Sequence, residues 1–410
     1  MKRAWAFALA LLSALSLHAQ AQTQTLAQAQ AQTQTLAQAL EEAWARVPQA
    51  GVFAARETEA KAGAELAANL LAAPASVSLS TLNDRLGSGE GLQEWEVELT
   101  LPLWLPGQRA AREAQAQSAG DEVAARRRAL RLQLAGELRE AWWTLAASRA
   151  AAALARQRVE TAAALEADVQ RRVKAGDLAR VDANLATGER LAAQAAQIDA
   201  AAALRSATQV WRNLTGNPPP ATLAPEAPAA PSAADDHPLL AAARAASRSA
   251  QSRLAVTEAT RRDAPELALR YFRERPTYQD EVSHAVGVKL TVPFSSGARM
   301  QQESAGLRAD LAQAEGELEQ ARRKLALDAE SARLDLDAAR ERITLARERR
   351  DLGADTLRLA QKSFALGETG LPALLLVRAA AVEADAQLAR EEVGADAAQS
   401  RLNQALGVLP

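Results

Sequence analysis

The sequence contains no cysteine, three histidines and only 3% aromatic residues in 410 positions. Without cysteine there are no disulfides, iron–sulfur clusters or thiolate zinc sites. His18 lies in a segment expected to be removed, and His237 and His284 have no partner at metal-ligand spacing, so no metal centre is expected. Lys+Arg 48 against Asp+Glu 50 gives a net charge of −2, which leaves no basic footprint for nucleic acid. No nucleophile–base motif, phosphate loop or paired-carboxylate signature is present, so neither an enzymatic activity nor a cofactor is expected. Past the N terminus no charge-free run of about 18 apolar residues occurs, which excludes a membrane-spanning helix after processing.

What is there is alanine and leucine. Residues are 48% hydrophobic and 24% charged, a composition of long helices rather than of an aromatic-rich enzyme core. Met1-Lys2-Arg3, the apolar run Ala4 to Leu17 and the small-x-small Ala19-Gln20-Ala21 make residues 1–21 a signal peptide. No cysteine follows the expected cut, so an N-terminal lipid anchor is not expected. Residues 22–34 are low in complexity, because AQTQTLAQAQ and AQTQTLAQAL stand in tandem. Order is expected from about Thr35.

Proline is absent from 107–217 and from 294–371, stretches of 111 and 78 residues. Continuous helices are therefore expected from about Gln108 to Val173 and from Ala298 to Phe364, each roughly 100 Å long. Twelve apolar positions from Leu307 to Ala346 cover 39 residues in 11 steps, close to a heptad seam of alternating leucine and alanine. Shorter helices are expected at Leu36 to Arg46, Gln49 to about Ala72, Leu178 to Leu214 and Leu239 to Arg262. Landmarks recur in register. Pro102 to Gly176 and Pro293 to Gly367 are each 74 residues apart, and Gly176 to Gly216 and Gly367 to Gly407 are each 40. The chain divides into a first repeat (35–216), a Pro-rich linker (217–237) and a second repeat (238–410).

Each repeat carries a strand-like interval before its long helix, at about 75–104 and 265–294. Trp95, Val97, Leu99, Leu101 and Leu103 alternate with Glu94, Glu96, Glu98 and Thr100. Leu267, Leu269 and Tyr271 form a second apolar row, and His284, Val286, Val288, Leu290 and Val292 form another, opposite Gly287, Lys289 and Thr291. Strands of about 9–11 residues suit a tilted bilayer crossing. Trp95, Trp104, Tyr271, Phe272, Tyr278 and Phe294 concentrate in these intervals, as interfacial aromatics do. Glu94, Glu96, Glu98 and Lys289 would then face a barrel lumen, with simple charge balance an alternative role for the glutamates. Four one-faced strands cannot close, so other copies must complete the barrel. The alternative is a soluble periplasmic coiled-coil structural or adaptor protein whose hairpins bind another protein's sheet.

Several segments resemble the TolC-like outer-membrane efflux proteins: TLAQALEEAWARVPQ (35–49), RRVKAGDLARVD (171–182), RNLTGNPPP (212–220), DHPLLAAARAA (236–246), KSFALGETGLPALL (362–375) and RLNQALGVLP (401–410). The resemblance implies a mainly α homotrimer with a 12-stranded outer-membrane β-barrel and a helical periplasmic tunnel. It implies a passive exit duct working with a periplasmic adaptor and an inner-membrane transporter, and GDLAR looks most like the resistance-nodulation-division cation branch. It places Val173, Gly176, Asp177, Asp182, Phe364, Gly367, Glu368 and Leu371 at the periplasmic tip, where adaptors dock. The residues alone also allow Gly176 and Gly367 to be plain helix–helix turns. Ala373 and Leu376 stand where some members carry constricting aspartates, so an ion-selective tip is not implied.

Overall fold

The computed structural model describes residues 34–87, 89–229, 236–260, 263–294 and 297–410. The expected signal peptide and nearly all of the low-complexity segment lie outside them. Among the described residues the order is α1 (Leu36–Ala45), α2 (Gln49–Ala68), β1 (Ser76–Asn83), β2 (Gln93–Pro102), α3 (Gln108–Ala175), α4 (Arg180–Thr215), α5 (Pro238–Ala259), β3 (Glu266–Arg275), β4 (Ser283–Thr291), α6 (Gly297–Ala365) and α7 (Leu371–Ala405).

The two proline-free stretches form single helices of 68 and 69 residues. Ends differ from expectation where side chains take the terminal backbone groups. α2 stops at Ala68, short of Ala72, because Arg109 donates to the carbonyls of Ala67 (3.1 Å) and Ala68 (2.9 Å) and Trp104 Nε1 donates to that of Asn69 (3.0 Å). α4 begins at Arg180 instead of Leu178. Asp182 Oδ2 accepts from the Ala179 amide at 3.1 Å, which holds Ala179 extended as the N-cap. α1 opens on a reciprocal capping box between Thr35 and Gln38.

The chain forms two compact units. The first comprises the described residues of Met1–Val47, Leu130–His237 and Lys324–Pro410 and is helical apart from its linker. Its main core joins Leu36, Leu40 and Ala43 of α1 to Leu134, Leu138 and Trp142 of α3 and Trp211 of α4. Trp142 and Trp211 are tilted against each other with centroids 5.4 Å apart. The heptad seam is the packed face of α6: Ala332, Leu336, Ala339 and Ala346 are buried, and Leu336 and Ala339 meet Ala395 and Ala398 of α7. Small residues at these steps let the helices approach closely.

The described part of the linker belongs to this unit, and residues 220–227 are pinned to it. Arg149 donates to the carbonyls of Pro220 (2.6 Å) and Ala221 (3.0 Å), and Asn403 Nδ2 donates to that of Ala227 (2.9 Å). Arg139 reaches both carboxylate oxygens of Glu226, at 2.9 and 2.8 Å, and the Val408 carbonyl at 2.9 Å. The side chains of this pair are only 4% and 11% exposed, so the ions are buried but fully engaged.

The second unit comprises Pro48–Ala129 and Pro238–Arg323. Its centre is one four-stranded antiparallel sheet in the order β1-β2-β3-β4. The two expected hairpins are joined by pairing of β2 with β3, in a register that sets Val97 against Tyr271 and Glu98 against Arg270. β1 and β4 are the edges.

Candidate functional site

Strand alternation gives the sheet two unlike faces. One face is built from rows such as Leu79–Val97–Tyr271–Val286 and Val77–Leu99–Leu269–Val288, running across all four strands. Apart from half-buried Leu99, these side chains are exposed although large and apolar: Val286 is 79% exposed, Val288 69% and Leu79 64%. Water is a poor solvent for so continuous an apolar surface.

The opposite face is polar. Its rows are Ser80–Glu96–Phe272–Ala285, Ser78–Glu98–Arg270–Gly287 and Ser76–Thr100–Ala268–Lys289. The expected Glu94, Glu96, Glu98 and Lys289 all fall on it. Arg270 was not anticipated there. It pairs with Glu96 and, through Nε at 3.1 Å, with Glu98, so two of the three glutamates are neutralised within the sheet. Glu94 instead faces Glu274 across the strands. Phe272, expected among the interfacial aromatics, lies on this polar face beneath Arg270, whose guanidinium is 4.5 Å from the ring centroid. Gly287 lies beside the ring, where a Cβ would sit 3.4 Å from it, in ordinary contact.

In the helical unit, the two glycine turns have one geometry. Gly176 (φ +88°) ends α3, with its amide bonded to Val173 and that of Asp177 bonded to Arg172 at 2.9 Å. Gly367 (φ +77°) ends α6, with its amide bonded to Phe364 and that of Glu368 bonded to Ser363 at 3.0 Å. Both are Schellman closures, which require a left-handed residue that glycine adopts without a Cβ penalty. Pro372 occupies the start of α7, where its missing amide costs nothing.

The expected tip residues then separate into two groups. Gly176, Asp177, Gly367 and Glu368 are exposed, and Val173 and Asp182 are half-buried. Phe364 and Leu371 are buried and pack with Val169, Ala186 and Leu374 into a small core. Their apolar side chains join the two turns and offer no outer surface to a partner. Farther along α7, burial pulls the Arg378 guanidinium below the usual arginine range, opposed by Glu189 and aided by Arg158.

A second apolar stripe was missed from the sequence. Leu345, Leu352 and Leu359 of α6 and Leu366 just past its end repeat every seven residues, preceded by Leu327 and Leu334, and all six are 52–66% exposed. Its signal was the heptad spacing, masked by the stronger leucine–alanine seam on the same helix. Among the described residues no helix is long and apolar enough to cross a membrane, and no three His, Asp or Glu side chains converge as a metal site.

No family model and no curated protein matches the sequence. Solved structures do. VceC, an outer membrane protein of Vibrio cholerae, aligns at TM-score 0.72 over 91% of this chain and 96% of its own, with 16% identity. CusC, whose structures concern transmembrane channel formation, aligns at TM-score 0.75 over 91% and 92%, with 14% identity. The outer membrane channel CmeC of Campylobacter jejuni aligns at TM-score 0.72 over 91% and 85%, with 12% identity. The chain has the TolC-like fold of outer-membrane channels. Within the TolC-like fold, the two-faced sheet and the paired glycine turns are the features that carry chemistry here. One exposes a continuous apolar surface, and the other closes two helical hairpins.

Proposed function

We propose that the protein is a passive outer-membrane exit duct of a tripartite efflux system. The observation that carries this reading is the exposed apolar face of a four-stranded sheet with two free edges, in a chain whose fold matches outer-membrane channels along nearly its whole length. Lipid is the medium in which such a face is stable, and free edges are not tolerated there. Edge strands β1 and β4 of neighbouring copies pair to close the barrel, and three copies of four strands make twelve. Glu94, Glu96, Glu98 and Lys289 line its lumen.

The same reading accounts for the leucine stripe of α6, which packs against a neighbouring copy. On the sheet-bearing unit, exposed Val52, Leu66 and Leu70 border a groove of about 1360 Å³ beside α2 and α3, a further surface for such a copy. The chain is exported by its leader and consists of two repeats joined at Pro-rich 217–237. Val173, Gly176, Asp177, Asp182, Gly367 and Glu368 form the periplasmic tip surface that meets an adaptor, with Phe364 and Leu371 shaping it from within. The tip helices loosen when the adaptor binds. An inner-membrane pump, of the resistance-nodulation-division type on the GDLAR wording, supplies the energy, and the duct itself catalyses no reaction.

Fractionation and cross-linking test this. The protein is expected in the outer-membrane fraction, released only by detergent, and cross-linked as trimers. Leu352→Asp with Leu359→Asp is expected to reduce the trimer. A protein soluble in the periplasm without detergent, as the adaptor reading requires, overturns the proposal.

A further inference from the structure

The apolar face of the sheet carries charge at one end only. Its rows run from Leu101–Leu267–Leu290 next to the helices, through Val77–Leu99–Leu269–Val288 and Leu79–Val97–Tyr271–Val286, to Thr81–Trp95–Arg273–His284 and finally Asn83–Gln93–Arg275 next to the hairpin loops. Arg273 and Arg275 are the only charged residues in these rows, and His284 adds a third basic group beside them. All three lie at the loop end. The helix end of the same face holds none.

Arg273 and His284 are exposed, and Arg275 is half-buried against the Tyr278 ring at 5.5 Å. Neither arginine of this face is held by a carboxylate among the described residues, in contrast to Arg270 on the other face, which binds two. Among the described residues Arg275 Nε has no hydrogen-bond partner. His284 is oriented: Tyr271 Oη lies 2.7 Å from its Nδ1, and the two rings stack with centroids 5.9 Å apart. When the phenol donates to Nδ1, the neutral ring carries its proton on Nε2 and is a donor outward. Two arginines at i and i+2 on one strand stand about 7 Å apart, within reach of one phosphorylated headgroup.

We propose that Arg273, Arg275 and His284, with Tyr271 as the positioning residue, bind phosphate groups on the headgroups of lipid surrounding the barrel. The inference rests on the outer-membrane reading, which turns this face toward lipid and its loop end toward the outer leaflet. A generic interfacial belt would place polar and aromatic groups at both ends of an apolar band. A basic cluster at one end alone matches a bilayer whose two leaflets differ in anionic charge, and basic side chains at that level are drawn to phosphate.

The test uses the detergent-purified full-length protein and two probes, diphosphorylated lipid A and the same lipid dephosphorylated, with retention measured by native mass spectrometry. Preference for the phosphorylated form is expected, weakened about fivefold by Arg273→Gln and again by Arg275→Gln. His284→Ala lowers it further, and Arg308→Gln, in the first turns of α6 beyond the helix end of the sheet, leaves it unchanged. Equal retention of the two lipids by the unmodified protein overturns the proposal, as does wild-type preference in the double variant. Displacement by millimolar inorganic phosphate also overturns it, because the site would then be a plain anion site. If the double variant does not assemble, Arg273→Lys with Arg275→Lys must keep the preference. A protein that fractionates with the outer membrane yet ignores lipid phosphate sinks this inference alone. A protein absent from that membrane sinks the reading beneath it.

Discussion

Arg172 of α3 lies over the ring of Phe364 of α6, its guanidinium 5.1 Å from the centroid, and its Nη1 donates to the Phe364 carbonyl at 3.4 Å. The last turns of two long helices, 192 residues apart in sequence, are thereby held by one side chain. Asp168 keeps that side chain in place through an i,i+4 ion pair at 3.1 Å.

Removing this tie is expected to loosen the tip without unfolding it. Arg172→Gln forfeits the cation–π contact and one charge-assisted bond, together about 1–3 kcal/mol. If the protein is the proposed duct, the variant is expected to show a higher open probability in planar bilayers than the unmodified protein, with an unchanged melting temperature for the main helical core. An unchanged open probability would detach Arg172 from gating.

At the turns themselves, a Cβ meets no atom within 4 Å at either Gly176 or Gly367, so replacement costs only the left-handed backbone. Gly176→Val and Gly367→Val are each expected to cost at least about 1–2 kcal/mol locally. Efflux in a deletion strain should fall in the double variant while cross-linked trimers persist. Full efflux would mean that the turns are structural closures without a tip role.

The linker clasp makes a stability prediction. Glu226→Ala strands Arg139 in a buried setting and is expected to cost about 3–5 kcal/mol. Arg139→Met combined with Glu226→Leu should recover most of that loss. The check is the denaturant midpoint of the single and double variants, and a double variant no better than the single would place the loss in packing.

Burial pushes the His237 imidazole below its ordinary value of 6.5, outweighing Asp328 and the backbone of Gln404, which act in the opposite sense. With the folded pKa depressed, the unfolded chain binds more protons in the window just below 6.5, so stability is full above that pH and declines as pH falls toward the folded value. Thermal melts from pH 7.5 down to 5 are expected to show this decline, flattened in His237→Gln. A variant with the same slope would assign it to other groups.

The long helices were legible because proline absence and a heptad seam are local properties, and the buried residues Ala332, Leu336, Ala339 and Ala346 fall on that seam. The strands were legible for the same reason: alternation of glutamate with leucine, valine and tryptophan from Glu94 to Leu101 fixes two faces whatever the partner. Less legible was the fate of individual side chains. Phe364 and Leu371 flank a turn in sequence and look exposed, yet four helices converge there and bury them.

By itself, the sequence determined the elements, their approximate lengths, and which side of each strand is apolar, because periods of 2 and 3.6 are set by backbone geometry within a few residues. Only the tertiary structure decided which elements meet. It joined β2 to β3 and so brought Arg270 to Glu96 across 174 positions, turning an acidic face into a partly neutral one. It also laid the Pro-rich linker against Arg139, Arg149 and Asn403 instead of leaving it as a free tether. Such pairings depend on shape and charge complementarity between distant segments, which no local pattern carries.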